Sequence, residues 1–289
     1  MIGWIMLSRE AVAKAEAALK SDELGVRDEV GFLGLHQAFA DRFFPGTSVL
    51  HTRLRYALFV PWLMEHAEGN PAQLAKNELA LTWQLHQGPD KKNGVIGGSI
   101  LPRAPVQPPS MMYWSALTRW RILLPRPDGV TSSRSEVLKR IAATQKHAKG
   151  RHRQDDGEPV QDEDMSPFVK LPPPPDEFLK SGEAMDFNLR SGEAKFLRRQ
   201  LIGVYRGDAQ QSTQSLLAML AEAGLPQGNS DWPWSKAVAK IADAEDRDAL
   251  TVARHASALA GIGRAVYAAV VEEAKAGDGA PRTTIHRED

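Results

Sequence analysis

Pro45-Gly-Thr-Ser-Val-Leu-His-Thr-Arg-Leu-Arg-Tyr-Ala-Leu-Phe-Val-Pro-Trp-Leu-Met64 is the stretch on which the reading of the fold turns. Pro45-Gly46 ends one helical pattern, running from about Asp28 to Phe43, and Thr47 or Ser48 is placed to cap the next. Leu50, Leu54 and Leu58 then fall on one face of a helix. Pro61 inside that pattern predicts a kink, or a restart with the proline in a new first turn. Tyr56 to Met64 is the longest apolar run of the chain, well short of the ~20 residues that a membrane-spanning helix needs.

Working outward, helical signals dominate on both sides. Upstream, Gly3 to Leu7 reads as a short strand and Ser8 caps a helix with Ala11, Ala15, Ala18 and Leu19 on one stripe. Downstream, Pro71 opens a helix to about His86, and Gly88 to Pro109 is loop-like. Ser110 caps a helix carrying Tyr113, Trp114, Leu117 and Trp120, and another runs from Ser132 to about Lys146. In the last third, helices are expected from Ser191, over Thr213 to Ala223, from Ser235, and from about Asp246 to Ala276. Leu259, Ile262, Val266, Val270 and Ala274 form a stripe on the longest of them. The fold class expected is mostly α, with at most one or two short strands near the N-terminus.

The middle of the chain divides this pattern. Arg134, Lys139, Arg140, Lys146, Lys149, Arg151 and Arg153 face a single acid, Glu136, over 20 residues. Residues 154–165 then hold six acids and no base, and four prolines follow at 172–175. Such blocks bury little apolar surface, so a charged, proline-rich linker is expected at 149–182. It would separate an N-terminal helical domain (1–148) from a C-terminal one (183–276), with a frayed tail at 277–289. Trypsin should nick the linker at Lys149, Arg151 and Arg153 and release two helical fragments.

Composition narrows the chemistry. The chain has 289 residues, 36 Lys+Arg against 36 Asp+Glu, and no cysteine. Disulfides, thiolate metal sites and a cysteine nucleophile are excluded. Met1 to Leu7 has no basic flank, so a cytoplasmic protein without a secretory signal is expected. The eight histidines show no i,i+4 pair, and no metal or other cofactor is expected. Pro175-Asp176 with Glu193-Ala194-Lys195 imitates the spacing of a metal-dependent nuclease. That site needs both carboxylates on adjacent strands, whereas here one ends a proline run and the other starts a helix. Gly94 to Ser99 lacks the Gly-Lys-Ser/Thr of a phosphate loop.

Two features suit anions. Thr47 and Ser48 at an expected helix start, with Arg53 one turn on and Arg55 nearby on another face, offer N–H groups and guanidinium groups to phosphate. The alternative is that these arginines pair with nearby acids. Lys139, Arg140, Lys149, Arg151 and Arg153 form a second group, which Arg119, Arg121 and Arg126 would extend. The alternative there is neutralisation by the acidic block downstream. The tryptophans on helical patterns read as core residues before base-stacking platforms.

Gly3-Trp4-Ile5-x-Leu7-Ser8, then Ala38-Phe39-Ala40-Asp41-x-x-Phe44-Pro45-Gly46-Thr47-Ser48-x-Leu50-x-Thr52-Arg53-x-Arg55-Tyr56, resemble an uncharacterised bacterial family. Phe59-Val60-Pro61-Trp62, Asn93 to Gly97, Tyr113-Trp114, Glu193-Ala194-x-Phe196-Leu197 and Pro233-Trp234 extend the resemblance over most of the chain. The family opens with a Gly-Trp-Ile-Asp-Phe-Ser type of sequence and occurs near phage-defence genes. This chain departs from it at Met6, where an acid is usual, at Gly98, where arginine is common, and at Arg121, where glycine is common. The resemblance implies a setting among helicases, methyltransferases and phospholipase-D-like nucleases, and no catalytic residues.

The leading expectation is therefore a non-enzymatic component of an anti-phage defence system. It would bind other defence proteins, nucleic acid, or both, away from the membrane. The alternatives are a nucleic-acid-acting enzyme whose site is assembled from distant residues, and a structural oligomerisation subunit.

Overall fold

The computed structural model describes residues 32–90, 93–126, 128–151, 166–207, 213–224 and 233–277. Helices dominate them: α1 (Phe32–Phe43), α2 (Tyr56–His66), α3 (Pro71–Gln87), α4 (Pro109–Met112), α5 (Trp114–Arg119), α6 (Arg134–Arg151), α7 (Ser191–Ile202), α8 (Leu216–Ala223), α9 (Lys236–Ile241) and α10 (Ala244–Gly277). Among the described residues the sheet is a single antiparallel pair, β1 (Tyr205–Arg206) with β2 (Thr213–Gln214). Those strands lie in the C-terminal part. The expected strand at Gly3 to Leu7 and the helix after it fall outside the described residues, as does the tail from Asp278.

The chain divides into two compact units, residues 39–258 and residues 1–38 with 259–289. In the larger unit α2 is the central helix. Every residue from Tyr56 to Met64 is buried, as an all-round apolar helix requires. Pro61 sits within it. The helix starts at Tyr56 rather than at Thr47, so the expected cap is corrected. Residues 47–55 form turns, and Leu50 and Leu54 stay exposed. Tyr113 holds this segment: its hydroxyl accepts from the Thr52 and Arg53 N–H groups at 2.9 and 3.0 Å and donates to the Arg53 carbonyl at 2.8 Å. Asn70 caps α3 by accepting from Ala72 and Gln73, and Ser215 and Ser235 cap α8 and α9 through the Ala218 and Val238 N–H groups.

The expected linker also needs correction on its C-terminal side. Residues 152–165 lie outside the described residues, but 166–182 pack on the core around α2. Phe168 and Phe178 are buried in the same cluster as Trp62, Leu117 and Leu197. Leu124 N–H bonds to Pro167 and Val169 N–H to Ile122. The Trp62 indole donates to the Pro172 carbonyl at 2.9 Å. The side-chain amide of buried Gln84 donates to the carbonyls of Glu177, Lys180 and Glu183 and accepts from the Leu179 N–H. Proline carbonyls retain their acceptor capacity, so a proline run can be bonded by side chains that composition does not reveal.

Candidate anion-binding cleft

Of the residues that sequence reading singled out, Arg55 has the most defined role. It is 2% exposed. Its Nε and Nη2 donate to the two oxygens of Glu193 at 2.9 and 2.7 Å, and Nη1 donates to the Asp186 carbonyl and Oδ1, both at 2.9 Å. The guanidinium also lies 5.2 Å from the Phe59 ring centroid. Glu193 Oε2 accepts the Arg190 N–H as well, closing the start of α7. Arg55 is thus an internal tie between α2 and α7 and not a phosphate contact. Glu193, its carboxylate fully used, is equally unlike the metal ligand that the nuclease spacing imitates.

The other expected site residues are dispersed. Arg53 is half-buried, with its guanidinium 5.7 Å from the Phe187 ring centroid and its stem against Gly94. Thr47 turns its hydroxyl to the Phe44 carbonyl, and Ser48 N–H bonds to the His51 ring, so these groups are spent within a turn. No helix starts there to gather an anion. Lys139 is exposed on α6, whereas Arg140 is half-buried with a buried Nη1 that lacks a hydrogen-bond partner. Lys149 and Arg151 belong to the last turns of α6, and Arg153 lies outside the described residues. Arg126 is spent on Asp128 and Glu136.

A different cluster of arginines lines a cleft of about 410 Å³, together with Asp41, Pro45, Tyr205, Gly207 and Thr213. Arg42 reaches it from the end of α1, Arg119 from the end of α5, and Arg206 from β1. The Pro45-Gly46 turn fixes one wall. Trp120 donates its indole N–H to the Pro45 carbonyl at 3.0 Å, and Ser115 its hydroxyl to the Gly46 carbonyl at 3.2 Å. Gly46 has φ +83°, and a Cβ there would stand 2.6 Å from the Arg119 Cβ. Glycine is needed for both the turn and the approach.

Asp246, which holds two of the lining arginines, is fully buried in the first turn of α10. One of its oxygens, Oδ1, accepts from both Arg42 Nε at 3.0 Å and Arg206 Nη1. Arg206 Nη2 bonds further to Asp243 and Glu245. The other oxygen of Asp246 has no partner. Burial pushes this carboxyl above the ordinary aspartate range; Arg206 opposes that shift, Asp243 adds to it and Arg42 opposes it.

Among the described residues Arg119, of the cleft lining, has no acidic partner. Arg121, outside the lining, also has none and lies 5.7 Å from the ring centroid of Tyr205, which does line the cleft. Arg121 has φ +54°, in the left-handed region that favours glycine. The conformation costs an arginine on the order of 1 kcal/mol, which contact with the Tyr205 ring offsets in part. Arg119 and Arg121 were visible in the sequence as an extension of the basic block. Their company with Arg42, Arg206 and Tyr205 was not, because those residues are separated by more than 80 positions along the chain or belong to another helix.

Among the described residues no group of three or more His, Asp or Glu side chains is placed to hold a metal ion, and no helix is long and apolar enough to cross a membrane. No curated protein and no solved structure matches the chain. Residues 1–130 match the model of a family of unknown function, DUF6361, a span that holds Asp41, Arg42, Pro45 and Arg119 of the cleft and leaves Tyr205, Arg206, Gly207 and Thr213 beyond it.

Proposed function

We propose that this protein is a non-catalytic binding component of a cytoplasmic anti-phage defence system, and that it grips a phosphate group of nucleic acid in the arginine cleft. The defence setting comes from the resemblance in the Phe44 to Tyr56 stretch. The binding chemistry rests on one observation: Arg119, free of any acidic partner among the described residues, lines the same cleft as Arg42 and Arg206. Guanidinium groups offer forked donors to phosphate oxygens. Tyr205 lines the same cleft, with Arg121 over its ring. A cleft of this size holds one nucleotide unit or one backbone bend, so the contact is local and the rest of the polymer remains outside.

Oligonucleotide binding followed by fluorescence anisotropy tests the reading. Affinity should fall linearly with salt on logarithmic axes. Arg119→Glu should weaken binding about tenfold or more at 50 mM salt and flatten that slope by about one contact. An unchanged affinity in a folded Arg119→Glu variant would refute the assignment.

A further inference from the structure

Helix α10 carries a row of exposed apolar side chains. Val252, Leu259 and Val266 recur every seven residues, and His255, Ile262 and Ala269 form the row beside them. This alternation of three and four is the a/d pattern of a two-stranded coiled coil. Val252, Leu259, Ile262 and Val266 are 57%, 62%, 62% and 58% exposed, and Val270 on the flank is equally open. Single exposed apolar residues are ordinary, but a continuous row on one helix face marks an interface.

We infer that this seam pairs with the same seam of a second copy of the chain, in antiparallel orientation. Charge and size complementarity select that occupant. A two-fold axis beside Arg264 brings a positions opposite d positions. Ile262 then faces Val266 of the second copy, Leu259 faces Ala269, and His255 faces Glu273. The centre of the pair is wholly apolar, and a histidine meets a carboxylate at each end. A parallel pair would instead set Glu273 against Glu273 and His255 against His255. The seam from Val252 to Glu273 spans about 33 Å at 1.5 Å per residue, enough for about three heptads of contact. Dimerisation would give the assembly two arginine clefts, and two linked sites on one polymer bind more tightly than either alone.

The test uses the full chain in two ways. Sedimentation equilibrium should give twice the 31.8 kDa chain mass at micromolar concentration. The double variant Ile262→Glu, Val266→Glu should dissociate at least about 100-fold more readily, with the far-ultraviolet helix signal retained. Because the chain has no cysteine, orientation can be read by disulfide trapping. A variant with both Leu259→Cys and Ala269→Cys should form a covalent dimer under mild oxidation, and Leu259→Cys alone should not. A wild type that is monomeric at 100 µM, whether because residues 1–31 of the same chain or another protein covers the seam, would overturn the inference. So would a double glutamate variant that stays dimeric, or trapping through Leu259→Cys alone.

Discussion

Arg55 and Arg206 are both buried arginines that hold carboxylates, yet they sit in contrasting surroundings. Around Arg55 all three guanidinium nitrogens bond to Glu193 or Asp186, the Phe59 ring lies against its face, and the Arg55–Glu193 pair is buried. Arg206 bonds to Asp246, Asp243 and Glu245 but lines a cleft, together with Arg119 and with Arg42, which shares the same Asp246 oxygen. A saturated guanidinium fixes the path of the chain. Arg206, held by its own acids, lines a cleft where Arg119, without an acidic partner among the described residues, is left to a ligand. The difference lies in access, since both guanidinium groups are held by acids, Arg55 by Glu193 and Asp186 and Arg206 by Asp243, Glu245 and Asp246.

The largest expected effect comes from breaking the sealed site. Arg55→Ala strands Glu193, which is nearly without solvent contact, and should lower unfolding free energy by about 3–5 kcal/mol in urea titration. Its effect on oligonucleotide affinity, measured on the folded fraction, should be small; a loss as large as that of Arg119→Glu would erase the contrast between the two arginine sites. Gly46→Ala should come next. It combines a left-handed backbone with a 2.6 Å clash at Arg119, so about 1–3 kcal/mol of stability should go, together with cleft affinity. Stability lost without affinity would mean that the turn does not place Arg119.

The smallest effect sharpens the comparison with a buried acid that has no guanidinium bonded to it. Burial raises the Glu78 carboxyl above its ordinary range; the Ser110 N–H, bonded to Oε1 at 2.9 Å, and the charge of Arg134 pull it down only in part. A raised folded-state value means that the native protein binds its proton more readily than the unfolded chain. Stability from this group is therefore present below the ordinary glutamate range and is lost as pH rises through the folded value. Glu78→Gln keeps an acceptor for Ser110 and removes that dependence. Thermal unfolding should show the variant gaining on wild type as pH goes from 4 to 8, by a few degrees at most. A variant that instead loses ground towards pH 8 would show that Arg134 governs this carboxylate.

Helix content was legible along the chain because it depends on local signals. The apolar run at Tyr56 to Met64, Asn70 before Pro71, and Ser235 before its helix each act within a turn or two. The correction at Thr47 has the same scale of cause: a turn closed by Tyr113 from 60 residues away competes with a local cap, and tertiary hydrogen bonds win. Proline and charge blocks were read as a linker on composition. Phe168, Phe178 and the proline carbonyls nevertheless find partners on α2, α3 and the segment after α5. Composition counts apolar residues; it does not register that a few, with a glutamine amide, can anchor an extended segment.

What the sequence determined by itself, then, is the mostly helical class, the absence of cysteine chemistry, most helix starts, and the apolar stripe on the last helix. All follow from residue type and spacing of seven or fewer. What the tertiary structure alone decided is which arginines are spent. Arg55 met Glu193 from 138 positions away, and Arg42 and Arg206 met Asp246 from 204 and 40. Ion pairing depends on distance in space and on burial, and neither is a function of position along the chain.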